Sequence, residues 1–452
     1  MLSKHNPIQR DQLEMITLNQ LVPASHLVRK IEAALDFSFI YDLVKDMYSE
    51  IGRPSIDPVI LIKLTFLQYT FGIRSMRQTI EQVETNMAYR WFLGYGFHDK
   101  VPHFSTFGKN YERRFKDTDL FEQIFYRILK EAAEKKLISA EHVFVDSTHV
   151  KASANKRKFE KKVVRKETRA YQERLQEEIN QDREDHGKKT FPPDKFEKEE
   201  KKEIKESTTD PESGYYVKDE RTKQFAYSFH AAADRNGFVL GTMVTPGNTH
   251  DSQILEPLVG KVIERVGKPE AVAADAAYKT PAITRYLLEQ GMTPALPYTR
   301  PRTKKGFFRK HDYVYDEYFD CYLCPAGEIL AYSTTNKEGY REYKSPKQIC
   351  ATCPFLARCT ESKDHQKVVT RHIWQEYVEE ADHLRYHAEV KEIYAKRKET
   401  IERVFADGKE KHGMRWTTLR GLKKLSMQAM LTFAAMNLKK MANWTWQGPK
   451  MA

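Results

Sequence analysis

Three acidic side chains stand where chemistry could be done: Asp146, Asp275 and Glu402. Asp146 follows the apolar run Val143-Phe144-Val145, and Asp275 follows Ala271-Val272-Ala273-Ala274. Both runs have the composition of short buried strands. Glu402 lies beside Ile401, Val404 and Phe405, which form one apolar face at helical spacing. Taken singly, each acid is equally a turn, a cap or a surface charge. Together, three carboxylates at one sheet edge repel one another and call for cations. Hard oxygen ligands of this kind suit Mg²⁺ or Mn²⁺. A pair of such ions can activate a water or a 3′-hydroxyl and stabilise the leaving oxygen at phosphorus. His149, His250 and Asp251, all close to the strand acids or in the polar loop TPGNTHDS, are candidate supporting groups.

A second cluster is sulfur. All five cysteines fall between Cys321 and Cys359. Cys321, Cys324, Cys350 and Cys353 make a CxxC…CxxC pattern, the spacing of a four-thiolate zinc ribbon, with Cys359 able to replace one of the four. The clustering does not suit a disulfide scaffold, and a structural Zn²⁺ is the expectation.

The elements that must position these groups follow from periodicity. Residues 1–135 read as helical. Ser55 is placed to cap a helix with Pro58 in its first turn, and VILIKLTFLQYTF is apolar almost all round, as in a buried core helix that Gly72 ends. Ser75 opens a second helix with Met76, Ile80 and Val83 on one face, and a third starts after Ser105. Short helices, a glycine turn and basic side chains suit a helix-turn-helix-like DNA-binding unit or a bundle with solvated charges. From Asn155 to Lys205 the chain is dominated by Lys, Arg and Glu, which predicts a solvated helical excursion or a disordered loop. FAYSFHAAA and FVLGTMV, joined across Asp234-Arg235-Asn236-Gly237, predict a hairpin. AVAAD and Met292–Leu296 then alternate with helical stretches, so a mixed sheet with helices on its faces is expected. Ala381–Asp407 reads as one long charged helix and Leu419–Lys440 as another.

A net charge of +12 points to a polyanionic partner, most simply nucleic acid. No apolar run reaches the roughly 18 residues of a membrane span. The opening MLSKHNPIQRDQLE has no apolar leader core, so the cytoplasm is the expected compartment.

The stretches PSIDPVILIKL, GIRSMRQTIEQVETNMAYRWFLG, HFSTFGKNYERRF, VFVDSTHVKASA, VTPGNTHDS, ADAAYKT, the CxxC pairs and RKETIERVFADGKEKHGMRWTTLRGL carry a resemblance over nearly the whole chain. It resembles the bacterial insertion-sequence DDE transposases of the insertion-sequence 4/5-like superfamily, and is most similar to the insertion-sequence 1182 group. The resemblance implies an α/β, RNase H-like (retroviral-integrase-like) mixed-sheet core, with Asp146, Asp275 and Glu402 as its three acids. It also implies a signature Y-x2-R-x3-E-x6-K, of which Glu402 and Lys409 match the last part. Lys398 stands where Arg is expected and Ala395 where Tyr is expected, while Tyr394 and Arg397 lie one residue earlier. Lys409 would contact a DNA phosphate. The nearby acid Glu399 lacks the lysine spacing.

The expected organisation is a helical N-terminal DNA-binding domain (1–135), a catalytic core (136–300) with a charged insertion (155–215), a zinc-ribbon-like insertion (301–375) and C-terminal helices completing the core (376–452). The expected function is Mg²⁺-dependent cleavage of double-stranded DNA at the element's terminal inverted repeats, with joining of the 3′-hydroxyl ends to target DNA. The expected state is a homodimer or larger synaptic complex in a bacterial, nucleoid-associated setting. Two other readings use the same features: a DNA-binding regulator without catalysis, and a nuclease that cuts without joining.

Overall fold

The computed structural model describes residues 13–49, 51–52, 54–165, 172–196, 201–220 and 222–448. Most of the N-terminal stretch read for a leader, residues 1–12, lies outside them, as do residues 166–171 and 197–200 of the charged excursion. The chain divides into two compact units. One comprises Met1–Ile138 with Phe405–Ala452, the other Ser139–Val404. The C-terminal helix therefore belongs with the N-terminal helices, whereas the expectation from sequence assigned it to the core.

The first unit is helical. The helix Pro58–Thr70 is capped by Asp57, whose Oδ1 accepts the Val59 amide at 2.7 Å. The expected cap, Ser55, lies two residues too early, because a proline at the first helical position fixes the cap immediately before it. Leu61, Ile62, Leu64, Phe66 and Leu67 are buried on this helix, and Lys63 with them. A buried ammonium must be paired. Lys63 Nζ donates to both oxygens of Glu32 (2.9 and 2.7 Å) and to the Phe92 carbonyl (3.1 Å). Ser75 caps Met76–Thr85 as expected, with Ile80 and Val83 buried. The long helix Leu422–Thr445 packs on Leu27–Ala34, Pro58–Thr70 and Leu120–Glu134. Its apolar residues recur on all sides, as in a helix surrounded by others.

The second unit is built on a mixed sheet. Its opening strand β1 is His142–Lys151. A separate antiparallel ribbon follows, β2 (Phe159–Arg165) with β3 (Lys201–Ser207). The sheet resumes with β4 (Gly214–Val217), β5 (Lys223–Asp234), β6 (Val239–Pro246), β7 (Ala271–Ala273) and β8 (Thr293–Ala295). The order is β4-β5-β1-β7-β8, with β6 also paired to β5. β1, β5 and β6 are antiparallel neighbours, while β7 and β8 run parallel to β1. Val143, Phe144 and Val145 are completely buried at the sheet's centre. Pro294, which cannot donate to a ladder, lies on the edge strand β8, where that costs nothing. The expected hairpin is β5–β6. Asp234 ties its turn by accepting the Phe238 amide (2.7 Å), and Gly237 adopts φ +72°.

The charged excursion is less solvated than its composition predicts. Its helix Gln172–Asp185 buries Leu175 and Ile179 against Trp374. Asp182 is also buried and accepts from Arg341 Nε at 2.8 Å. The cysteine segment is an antiparallel five-stranded sheet rather than a loop-rich ribbon. It comprises β9 (Val314–Asp316), β10 (Cys321–Leu323), β11 (Ile329–Thr335), β12 (Tyr340–Lys344) and β13 (Val368–His372), in the order β13-β12-β11-β10-β9. It has its own core of Tyr313, Tyr322, Leu330, Tyr343 and Val369.

Candidate active site

Asp146 does not end its strand. It sits within β1, opposite Ala231 of β5. The strand that ends is the neighbour, β7, at Ala273. The parallel register pairs His142 with Ala271 and Phe144 with Ala273. Two residues further on, the same register sets Asp146 level with Asp275. Opposed residues of adjacent strands share a face. Two carboxylates are thus within electrostatic reach of each other where β7 gives way to a 3₁₀ turn, Ala276–Tyr278, which Asp275 caps by accepting the Ala277 amide at 2.9 Å.

The electrostatics agree with this placement. Burial pushes the Asp146 carboxyl up to about 6; Arg397 and the Ser147 amide pull it down, and Asp275 and Asp251 push it up again. Arg397 Nη2 donates to Asp146 Oδ2 at 3.1 Å, and the Ser147 amide donates to Oδ1 at 2.8 Å. The Arg397 side chain is 8% exposed and that of Asp146 19%, so the pair is largely withdrawn from water.

Asp251 joins the field from beside Ser147, whose Oγ donates to its Oδ2 at 3.0 Å. Ser147 is adjacent to Asp146 in β1, so the two side chains leave opposite faces of the strand. Burial raises the Asp251 carboxyl, and Asp275 raises it further, while the Ser147 hydroxyl and His250 act in the other direction. His230, 3.7 Å from Asp251 through Nδ1, is completely buried. Burial, with His149 adding, lowers it to about 3, so it is neutral and forms no ion pair at neutral pH. Tyr278 is buried too, and its hydroxyl has no hydrogen-bond partner among the described residues. Burial and then the charges of Asp251, Asp146 and Asp275 keep it protonated. His149 stacks on Tyr216 at 3.5 Å and contacts Ser228 and the Gly247 carbonyl, while His250 caps Asp251–Gln253. Both are engaged in local structure.

Glu402 is placed differently. The predicted single helix Ala381–Asp407 is broken into Gln375–Leu384, Ala388–Ala395, a 3₁₀ turn Lys396–Lys398 and Ile401–Lys411. Glu402 is exposed in the first turn of the last helix and makes no side-chain hydrogen bond or ion pair among the described residues. The break instead delivers Arg397 to Asp146. The signal was present in the sequence as the arginine one residue early in the family signature. Lys409 lies on the same helix as Glu402, about 10 Å further along its axis. It lines a groove of about 650 Å³ in the helical unit with Arg74, Arg77, Arg415, Phe104 and Trp416.

Two nearby carboxylates, one of them largely withdrawn from water, are the donor chemistry that a hard divalent cation offsets, so the residue types fit Mg²⁺ or Mn²⁺. A full ligand set is not assembled: among the described residues, no three His, Cys, Asp or Glu side chains are disposed to hold a metal ion. That holds for the cysteines as well. Cys324, Cys350, Cys353 and Cys359 line one small cavity, and Cys321 is not among its lining residues. Cys321 is buried in β10 opposite Asp316 and Ala331, and its thiol is raised by burial and by Asp316 and Asp320.

Two family models match this chain. Residues 16–113 match a transposase domain (DUF772), and residues 323–442 match a transposase DDE domain. Together these matches indicate an insertion-sequence DDE transposase. The mixed sheet fits the RNase H-like core of such a transposase. The DDE match contains Glu402 and Lys409, and the cysteines from Cys324 onward. No curated protein matches the chain. No helix of the described residues is long and apolar enough to cross a membrane.

Proposed function

We propose that this transposase, of the insertion-sequence 1182 group, cuts double-stranded DNA at the terminal inverted repeats of its element. It then joins the freed 3′-hydroxyls to target DNA by in-line phosphoryl transfer. The observation that supports this reading is the parallel register of β1 and β7, which, continued two residues beyond the pairing, brings Asp146 level with Asp275, in keeping with the charge coupling of the two. Asp146 and Asp275 would hold Mg²⁺ or Mn²⁺, with Glu402 as the third acid. The bound ions would supply a Lewis acid for the phosphoryl oxygens and a lowered pKa for the attacking water or hydroxyl. Arg397 holds the Asp146 carboxylate in place and offsets its charge before DNA arrives. Lys409, with Arg74, Arg77 and Arg415 around it, offers cations to the phosphodiester backbone. The work requires two ends to be held together, which a homodimer or larger synaptic complex on DNA would do.

A second assignment of the third acid has a specific observation in its favour. Asp251, unlike Glu402, lies within the electrostatic reach of both Asp146 and Asp275. Cleavage of end-containing DNA in Mg²⁺ separates these readings. Asp146→Asn and Asp275→Asn should each lose roughly a thousandfold in rate while still binding DNA. Glu402→Gln should match them, and Asp251→Asn should fall much less. The reverse order would move the third acid to Asp251. Metal-dependent cutting that survives Asp146→Asn would sink the catalytic assignment and leave a DNA-binding regulator. Pre-cleaved ends test joining: cutting without strand transfer would make the protein a nuclease only.

A further inference from the structure

The cysteine sheet holds a feature that the phosphoryl-transfer chemistry does not use. Four of the five thiols, Cys324, Cys350, Cys353 and Cys359, surround a single cavity of about 30 Å³. That is room for one water or one ion. The four come from three separate places: the turn after β10, the end of the helix Lys347–Ala351, and the last residue of the helix Leu356–Cys359. Chain segments this far apart do not gather four thiols around one small space for packing alone, since any small apolar side chain would serve.

The fifth thiol is excluded by strand geometry. Cys321–Leu323 is extended, so side chains alternate between faces. Tyr322 faces the sheet's core, and Cys324 packs against that same core. Cys321 leaves on the opposite face. A CxxC pair can converge around a helical turn or a tight knuckle, but not when its first members are a β-strand.

The surroundings of the four suit thiolates. The turn after Cys324 is closed by the Gly327 amide donating to the Cys324 carbonyl and by the Cys324 amide donating to the Glu328 carbonyl, both at 2.9 Å. Gly327 takes φ +84° there. This turn aims the Glu328 amide at Cys324 Sγ, 3.3 Å away. The Tyr313 hydroxyl lies 3.2 Å from Cys359 Sγ, and Lys367 Nζ donates to the Cys359 carbonyl at 3.0 Å. Amide and hydroxyl donors to sulfur, with a lysine close by, offset the charge that four thiolates bring.

We propose that Cys324, Cys350, Cys353 and Cys359 bind one structural zinc ion, and that Cys321, buried on the other face of the sheet, is not a ligand. Soft sulfur donors in a set of four select tetrahedral zinc. Binding would draw the four sulfurs together onto the ion, with release of the thiol protons. The reading is independent of the acids in the other sheet.

The test is metal analysis of the full-length protein, purified reduced and without chelator. About one zinc per chain is expected, retained in Cys321→Ser and lost in Cys359→Ser. Should Cys359→Ser fail to fold, the wild-type protein decides by alkylation with mass mapping, with and without a zinc chelator. Chelation should expose Cys324, Cys350, Cys353 and Cys359 to alkylation and leave the rate at Cys321 unchanged. Loss of zinc from Cys321→Ser, or chelator-dependent labelling at Cys321 and not at Cys359, would overturn the ligand set. Absence of zinc, together with no thiolate-to-metal absorption on titration with Co²⁺, would remove the site altogether.

Discussion

The Asp146–Arg397 pair shows how much one side chain can decide. A buried carboxylate costs free energy unless something pairs with it. Here a guanidinium that is itself 8% exposed does so at 3.1 Å. Arg397 Nε has no hydrogen-bond partner among the described residues, so the arginine depends on Asp146 as much as the reverse. Removing one partner leaves the other buried and uncompensated, which typically costs about 3 kcal/mol or more. Arg397→Gln should therefore lower stability by roughly that amount in urea unfolding. The double variant Arg397→Gln, Asp146→Asn should recover part of the loss, because it leaves no buried charge. A double variant that simply adds the two single losses would show that the pair is not coupled. The sequence singled out Asp146 as a chemical candidate, but it left Arg397 as an arginine out of register with a pattern. Only the broken helix explains that offset: Lys396–Lys398 is a 3₁₀ turn, so counting by α-helical spacing misplaces the side chains on either side of it.

At the scale of elements, turns and registers do the positioning. Gly72 ends the helix Pro58–Thr70 at φ +64°, as its place after an apolar run predicts. Its second role was invisible in sequence. A Cβ there would stand 2.6 Å from the Lys411 carbonyl oxygen, at the end of the helix that carries Lys409. Gly72→Ala thus meets both an unfavourable backbone conformation and a backbone clash that no rotamer relieves. We expect a loss of about 2 kcal/mol or more, readable as a fall in melting temperature. An unchanged melting temperature would mean that the Lys411 carbonyl is not held there. The register of β7 on β1 is the matching device in the other unit. Both strands were legible as apolar runs ending in an acid, yet nothing local says that they are neighbours or parallel. In the charged excursion, Leu175 and Ile179 are four residues apart on one helical face. Two apolar residues in so polar a stretch are too faint a pattern to predict burial.

For the whole molecule, stability should depend on acid through buried histidines. His412 is buried in the helical unit with Nδ1 2.8 Å from the Tyr69 carbonyl, and burial is the main cause that lowers it to about 4. In the unfolded chain it titrates at about 6.5. Between these values the unfolded state binds the additional proton, so the histidine's contribution to stability is complete above pH 6.5 and is lost as pH falls toward 4. The full span is worth about 3 kcal/mol. His412→Gln, which keeps a donor for Tyr69, should flatten that part of the melting-temperature profile between pH 7 and 4. A profile equally steep in the variant would assign the acid sensitivity to other groups, His230 among them.

The sequence by itself determined the chemistry available: two acids behind strand-like runs, a late glutamate with its lysine, cysteines at metal spacing and an excess of positive charge. These come from residue type and short-range periodicity, which are local. Tertiary structure decided what is non-local. It set Asp146 level with Asp275, brought Arg397 rather than Glu402 to Asp146, and placed Asp251 within their field. It grouped Cys359 with three cysteines and turned Cys321 away. It also assigned the last helix to the N-terminal unit. The physical reason is common to all five: strand parity, register and the break in a helix fix where a side chain goes, and each depends on contacts made far along the chain.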